Sequence, residues 1–108
     1  MEMLSKIDSS HIDKIRSLYN NNKEICGLVL EDLSILPIQN ISNNPNHFVF
    51  NRREWFALLN SGVGILCIYH THLNNDPTPS TVDLACQKNI KLDFLIVTPS
   101  KWSYTPYA

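Results

Sequence analysis

The sequence predicts a single α/β domain, a sandwich of helices around a mixed β-sheet. Three apolar runs, at 25–30, 64–69 and 93–98, are short and nearly continuous, which is typical of buried strands. Segments with helical spacing of apolar residues alternate with these runs along the chain. With 108 residues the chain is long enough for one modest core, so we expect one domain spanning 1–108.

The first part of the chain is predicted to form a helix followed by two strands. The serine pair at 9–10 can cap a helix that ends near Tyr19. The apolar run at 25–30 then forms a buried strand, and 34–39 forms a second one. Pro37 lies inside this second strand and cannot donate to a sheet, which indicates an edge strand or a bulge.

The remaining elements follow in an alternating order. We predict a brief strand at 47–50, a helix at 51–60, a strand at 64–69, a helix at 80–89, a strand at 93–98 and an edge strand at 101–108. Asn51 is the expected cap of the first of these helices, and Gly62 its end. Helices that alternate with apolar strands fit a mixed sheet covered by helices.

Several aromatic side chains are predicted to lie in the core. Trp55 and Phe56 recur with two leucines at helical spacing, which favours burial over ligand binding. In the predicted last strand we expect Trp102 and Tyr104 to seal the core. The sequence does not decide whether Tyr107 lies in the core or on an exposed edge.

Two histidines outside the central motif have less informative surroundings. His11 lies in the first turn of a predicted helix, where a cation is unfavourable, so we expect an exposed neutral side chain. His47 begins the brief predicted strand. A contact between His47 and a substrate is an alternative that the sequence leaves open.

Composition and charge exclude several classes of protein. A hydrophobic fraction of 44% and a charged fraction of 18% are those of an ordinary globular protein. The net charge of −1 provides no basic surface for nucleic acid or an anionic membrane, so we expect neither as a partner. The longest apolar run, at 63–69, is far shorter than the ~20 residues of a membrane-spanning helix.

The cysteines and the N-terminus indicate a reducing compartment. Cys26, Cys67 and Cys86 are odd in number and form no CxxC pair, so we predict buried thiols and no disulfide framework. The first ten residues lack the basic and apolar regions of a signal peptide. We therefore expect a cytoplasmic protein, or a virion-associated one if a phage encodes it.

The most informative stretch is 69–83, which reads YHTHLNNDPTPSTVD. Side chains alternate along a strand, so His70 and His72 point the same way, about 7 Å apart along the backbone. Asp83 lies in the first turn of the next helix if Ser80 is its N-cap. Two histidines and one carboxylate leave a coordination position for water, which is the pattern of catalytic zinc. We predict a zinc site, although the same ligands accept other divalent ions.

Two further residues can complete a hydrolytic mechanism. Zinc lowers the pKa of a bound water to about 7, but a base must still take and return the proton. Glu24 stands at the start of the first strand and can reach this water if that strand neighbours the histidine strand. Ser80 can donate a hydrogen bond to the developing oxyanion.

Each of these features has a simpler interpretation when it stands alone. A His-x-His pair on a strand is often a surface feature. Ser80 and Asp83 also match a helix capping box, in which Asp83 turns back to the backbone. Glu24 alone would be a solvated carboxylate at the edge of a strand. The occurrence of all of them in this order favours the metal site.

This order resembles the JAMM (MPN+/JAB) zinc metalloprotease family. The shared pattern is His-x-His, seven residues, Ser, two residues and Asp, with a Glu upstream of an apolar strand that contains Gly. The similarity runs from Glu24 through 68–72 and 79–83 to the strand at 95–97. It implies the cytidine-deaminase-like α/β sandwich of the JAB/MPN fold.

The resemblance also implies the role of each residue. Glu24 would be the general acid and base, His70, His72 and Asp83 the zinc ligands, and Ser80 the oxyanion support. The implied activity is that of a zinc metallopeptidase or isopeptidase, in which a Glu-assisted zinc-bound water hydrolyses an amide bond. The expected partner is a peptide or protein substrate laid along a sheet edge.

Two departures from the family pattern narrow the expected substrate. Leu73 stands where a proline usually follows the second histidine, which loosens the loop and removes no ligand. The chain also lacks the long insertions with which eukaryotic members hold ubiquitin. Its size is similar to that of bacterial and phage JAB-domain proteins, so we expect a minimal stand-alone domain.

Two alternatives to a general protease remain. The first is an assembly module of a phage tail, with phage tail proteins as partners, in which the zinc site persists and proteolysis is absent or limited to one maturation cut. The second is a RadC-like protein, since the stretch at 76–80, DPTPS, is similar to that branch. The near-neutral charge argues against DNA binding by such a protein.

Overall fold

A five-stranded mixed sheet organises the chain, of which the computed structural model describes residues 7–107. In chain order the elements are α1 (Ser9–Ser17), β1 (Cys26–Leu30), β2 (Ile35–Ile38), α2 (Arg52–Ser61), β3 (Ile65–Thr71), α3 (Thr81–Ile90), β4 (Phe94–Val97) and β5 (Trp102–Thr105). The strand order is β2-β1-β3-β4-β5. Strands β3 and β4 run parallel, and the other neighbouring pairs run antiparallel. The predicted α/β fold with a mixed sheet is confirmed.

Helices cover both faces of this sheet. On one face, α1 packs through Ile12 and Ile15 onto the side chains of Val29, Cys67, Tyr69, Leu95 and Val97. On the other face, α2 and α3 pack onto Cys26, Leu28, Ile68 and Phe94. The fully buried strands β3 and β4 explain why their sequences read as continuous apolar runs rather than alternating ones.

The helix ends follow their predicted caps with one exception. Asn51 accepts a hydrogen bond from the Glu54 N–H, and Gly62 ends α2 with a φ of 75° in the left-handed region. In α1 the cap is Asp8 rather than the serine pair, because its carboxylate accepts the N–H of Ser10. His11 is therefore part of a capping box, since its ring accepts the N–H of Asp8.

The predicted brief strand at 47–50 is wrong. A single bridge joins Asn40 to Phe50, and the segment before it is irregular. The side chain of Asn40 binds the N–H of Val49 and the carbonyl of His47, and these are groups that a neighbouring strand would otherwise pair. The prediction for Pro37 is confirmed, because β2 is an outermost strand.

Two predictions about aromatic burial are also wrong. Phe56 is 53% exposed, because α2 turns Trp55 towards the sheet and leaves Phe56 on its outer side. Trp102 is 45% exposed, since it begins the edge strand β5 at the margin of the core. Tyr104 packs against the core as predicted, and Tyr107 is 41% exposed. The last residue of the predicted edge strand, Ala108, lies outside the described residues.

The remaining expectations about the chain concern its thiols and its helices. All three cysteines are free. Cys26 and Cys67 are buried as predicted, whereas Cys86 is only half-buried. Burial raises the pKa of Cys26 and of Cys67 to about 12, so both are inert thiols. None of the described helices has the length and apolar character needed to cross a bilayer.

Candidate metal centre

The end of strand β3 and the start of helix α3 meet at one point of the sheet. His70 and His72 both project from β3, and Asp83 lies in the first turn of α3. His70 Nε2 is 3.1 Å from Asp83 Oδ1, and His72 Nε2 is 2.8 Å from Asp83 Oδ2. One ligand atom from each residue lies within 4.8 Å of the other two. The structure therefore brings together the three residues predicted as metal ligands.

The connection between two parallel strands explains this meeting. Helix α3 links β3 to its parallel neighbour β4, so the helix must begin near the carboxyl end of β3. Ser80 marks that beginning as the N-cap. Binding sites of α/β sheets form at this end of parallel strands.

The contacts of the two His72 ring nitrogens indicate which nitrogen carries a proton and which can bind a metal ion. Nδ1 lies 2.8 Å from the backbone oxygen of Asp76, which can only accept, so Nδ1 carries a proton. In a neutral ring Nε2 then holds a lone pair, and this lone pair faces the Asp83 carboxylate at 2.8 Å. Two acceptors at this distance require a proton or a metal ion between them. The donor set of His72 and Asp83 thus fits a bound cation.

His70 is held by aromatic rings rather than by hydrogen bonds. It is fully buried, its ring stacks on Phe48 with centroids 4.5 Å apart, and Phe94 meets it edge-on at 5.5 Å. Neither ring nitrogen has a hydrogen-bond partner among the described residues. Burial lowers the pKa of His70, which keeps the ring neutral and its lone pair available to a metal.

The charges at the centre are consistent with a divalent cation. Burial acts to raise the pKa of Asp83, but the close imidazoles of His70 and His72 outweigh it and hold that pKa well below its usual range. Burial acts to lower the pKa of His72, yet the Asp83 carboxylate and the Asp76 carbonyl raise it overall. Two imidazoles and one ionised carboxylate are a ligand set that zinc accepts, with a further position left for solvent.

Glu24 lies beside this centre, just before strand β1. Strand β1 pairs with β3, and Cys26 lies opposite His70. The strand that follows Glu24 therefore neighbours the histidine strand, as the predicted role of Glu24 requires. Glu24 is only 3% exposed, and its Oε1 has no hydrogen-bond partner in the described part of the chain. Burial raises the pKa of Glu24 to about 8. The charge of His72 acts to lower this pKa, and the charge of Asp83 acts to raise it further.

Ser80 and Asp83 form the capping box that the sequence offered as an alternative to metal binding. Ser80 Oγ accepts the N–H of Asp83 at 3.0 Å, and Asp83 Oδ2 accepts the N–H of Ser80 at 2.9 Å. The same Asp83 carboxylate also faces both histidines. The two interpretations therefore hold together, because the cap fixes the carboxylate in front of the histidines.

An open cleft of about 210 Å³ connects these groups to solvent. Glu24, His72 and Ser80 line it, together with His47, which the sequence offered as a substrate contact. The roles of these residues towards a substrate stay predictions. The cleft gives a small polar group a route from solvent to His72, the one ligand residue in its lining.

Sequence reasoning missed two residues that build the site. The side chain of Asn40 is buried and donates to the carbonyls of Glu24 and His47, so it fixes Glu24 against the cleft. Phe48 supplies the ring on which His70 stacks. Asn40 lies in an Asn-rich stretch that looks like an ordinary loop, and Phe48 follows no periodic pattern, so neither gave a signal.

The comparisons with known proteins agree with this architecture. The solution structure of a protein from Desulfitobacterium hafniense is similar with a TM-score of 0.63 and 21% identity, over 89% of this chain and 77% of that one. The solution structure of a protein from Salinibacter ruber gives a TM-score of 0.59 and 18% identity, over 94% of this chain and 80% of that one. At these identities the likeness establishes the fold alone.

The search of curated proteins found no match. The family described as prokaryotic homologs of the JAB domain matches residues 9–106, which is nearly the whole chain. The matched span contains Glu24, the two histidines, Ser80 and Asp83. The chain belongs to the family of prokaryotic homologs of the JAB domain.

Proposed function

We propose that this protein is a zinc-dependent metallopeptidase or isopeptidase that hydrolyses an amide bond. The observation that carries the proposal is the convergence of His70, His72 and Asp83 within 4.8 Å, beside a buried Glu24 carboxyl with an unpartnered oxygen. Membership in the JAB family supports it, since the resemblance to JAMM metalloproteases implies the same roles for these residues.

The three ligands would hold zinc, which polarises the scissile carbonyl and acidifies water when it is bound. Glu24 takes a proton from the attacking water and returns it to the leaving amine. A general base works best with a pKa near the operating pH, and burial places the pKa of Glu24 at about 8. This value belongs to the metal-free protein, and a cation bound beside the carboxyl would lower the pKa towards neutral pH and favour its role as a base.

Ser80 and the surrounding fold support this chemistry. The Ser80 hydroxyl accepts the Asp83 N–H, so its own proton remains for donation to the substrate oxyanion. The Asn40 amide holds the backbone of Glu24, which fixes the carboxyl relative to the ligands. These positioned groups favour hydrolysis over passive metal storage.

The test uses the zinc-loaded protein and a library of peptides, with hydrolysis measured by mass spectrometry. A chelator should abolish cleavage, and Glu24→Gln should lower turnover by about 10²–10⁴-fold while the variant keeps its zinc. Glu31→Gln is the matched control, because Glu31 is an exposed carboxylate just beyond the other end of strand β1. It should cleave at the wild-type rate.

Two outcomes would contradict this function. Cleavage that neither the chelator nor Glu24→Gln reduces would show that the centre is not the catalytic site. A zinc-loaded protein that cleaves nothing in the library and co-purifies stoichiometrically with a large partner would favour the assembly module that the sequence left as an alternative.

A further inference from the structure

A second pocket of about 380 Å³ lies next to the cleft, between the end of α1 and strands β1 and β2. Its apolar lining includes Leu18, Ile25, Pro37 and Ile38, together with Tyr69 from β3. Its volume falls in the range of sites that bind small molecules or single side chains, which are mainly apolar with a few polar groups.

Glu24 connects this pocket to the candidate metal centre. The residue lines both the pocket and the cleft of His72 and Ser80. A substrate whose scissile bond lies against Glu24 therefore has an adjoining residue within reach of the pocket. The pocket and the cleft thus adjoin at Glu24, which allows them to serve as neighbouring subsites of one substrate.

The polar groups of the pocket select what can enter it. Lys23 lies on its wall and donates one hydrogen bond to the Asn40 carbonyl, and it forms no ion pair within residues 7–107. The lining also holds one carboxylate, Glu24, but that residue is only 3% exposed, whereas Lys23 is half-buried. The ammonium group is therefore the charge that an entering side chain meets, and it repels a second cation in a partly apolar space. The Tyr69 hydroxyl is buried and finds no hydrogen-bond partner among residues 7–107, so a ligand with one polar atom at its tip is compatible with the pocket.

We propose that this pocket binds one large uncharged side chain of the substrate, of the tyrosine type, next to the scissile bond, and that Lys23 excludes lysine and arginine there. The assignment of the occupant to a substrate rests on the proposed function. The chemistry of the pocket itself rests on its lining and its charge. It is therefore tested by binding as well as by cleavage.

The binding test titrates the full chain with N-acetyl-tyrosinamide, N-acetyl-alaninamide and N-acetyl-lysinamide, and follows amide shifts by NMR with and without zinc. The tyrosine compound should shift the amides of Leu18, Ile38 and Gln39, which line the pocket. Its affinity should exceed that of the other two compounds by about tenfold or more. Equal responses to all three compounds, or none, would overturn the proposal.

Variants of Lys23 test the exclusion of cations. Lys23→Glu should let the lysine compound bind at least as well as the alanine compound, and Lys23→Gln should give an intermediate preference while it keeps a donor for the Asn40 carbonyl. Lys88→Glu makes the same charge change on an exposed part of α3 and should keep the wild-type preference. A preference that the Lys23 variants do not alter, or that Lys88→Glu alters equally, would refute the role of Lys23.

The two proposals fail in different ways. If the tyrosine compound binds selectively while no peptide is cleaved, the pocket proposal is supported and the proposed hydrolase function is contradicted. If peptides are cleaved at equal rates with tyrosine, alanine or lysine on either side of the bond, and no selective shifts occur, the hydrolase stands and the pocket proposal falls.

Discussion

Asp83 Oδ2 accepts the backbone N–H of Ser80 at 2.9 Å while Ser80 Oγ accepts the backbone N–H of Asp83 at 3.0 Å. This reciprocal pair begins helix α3 and also aims the Asp83 carboxylate at His70 and His72. Helix capping and metal binding thus depend on the same side chain. The start of the helix is part of the site.

Ser80→Ala should therefore affect both stability and metal affinity. Loss of the cap should lower the free energy of unfolding by about 1 kcal/mol, measured by denaturant unfolding in a chelator. A less well-oriented Asp83 should also weaken zinc binding by about tenfold. Asn51→Ala is the control, since it removes the cap of α2 and should lower stability alone. If Ser80→Ala binds zinc as tightly as the wild type, the helix cap does not orient Asp83 for metal binding.

Phe48→Leu should weaken zinc binding by about tenfold, measured by competition with a chromophoric chelator. The ring of Phe48 stacks on His70, whose ring nitrogens have no hydrogen-bond partner within the described range 7–107 to orient them. Phe50→Leu is the matched control, because the Phe50 ring packs on Phe48 and Trp55 instead. A zinc affinity that falls equally in both variants would mean that general loosening of the core, not the stacking, is responsible.

Stability of the metal-free protein should depend on pH through Glu24. Burial raises the folded pKa of Glu24 from 4.5 to about 8, so the folded state holds a proton that the unfolded state releases. The Glu24 contribution is then most favourable below pH 4.5, and it declines as pH rises to 8, by up to about 1.4 kcal/mol per pH unit.

Glu24→Gln removes this contribution and isolates it from other titrations. In the presence of a chelator, the stability of the variant relative to the wild type should increase by a few kcal/mol as the pH rises from about 5 to about 8. Chemical denaturation of both proteins at several pH values measures this difference. A difference that stays constant over this range would show that Glu24 ionises normally in the folded protein.

Gly27→Ala should destabilise the fold by about 1–3 kcal/mol, measured by thermal or denaturant unfolding. A side chain at Gly27 would meet the backbone oxygen of Leu36 and the ring of Tyr69, and neither can move without disturbing the sheet. Gly64→Ala is the control, because its added carbon would meet the flexible, exposed carboxylate of Glu31. Equal costs of the two substitutions would contradict this packing.

Much of the site follows from local sequence pattern. The alternation of side chains on a strand places His70 and His72 on one face, and a helix between parallel strands brings Asp83 back to the strand end. The same regularities predicted the buried strands β3 and β4. The alternation and the apolar runs depend on neighbours in sequence. The parallel pairing of β3 and β4 does not, so Asp83 was predicted from its order after the histidines and from the family resemblance instead.

The wrong predictions concern residues whose environment is set by contacts with residues distant in sequence. Phe56 and Trp102 have the composition of core residues, but the orientation of α2 and the edge position of β5 leave them exposed. The strand predicted at 47–50 was replaced by a loop that the Asn40 side chain holds. The contact of Phe48 with His70 joins a loop to a central strand, and no local pattern encodes it.

The most direct test of the metal centre is elemental analysis of protein purified without added metal. We expect one divalent metal ion per chain, with zinc as the expected element, and its loss in Asp83→Ala and His72→Ala. Circular dichroism would establish that both variants fold. A wild-type protein that binds no divalent metal even after zinc is supplied, or folded variants that keep a full equivalent, would contradict the account.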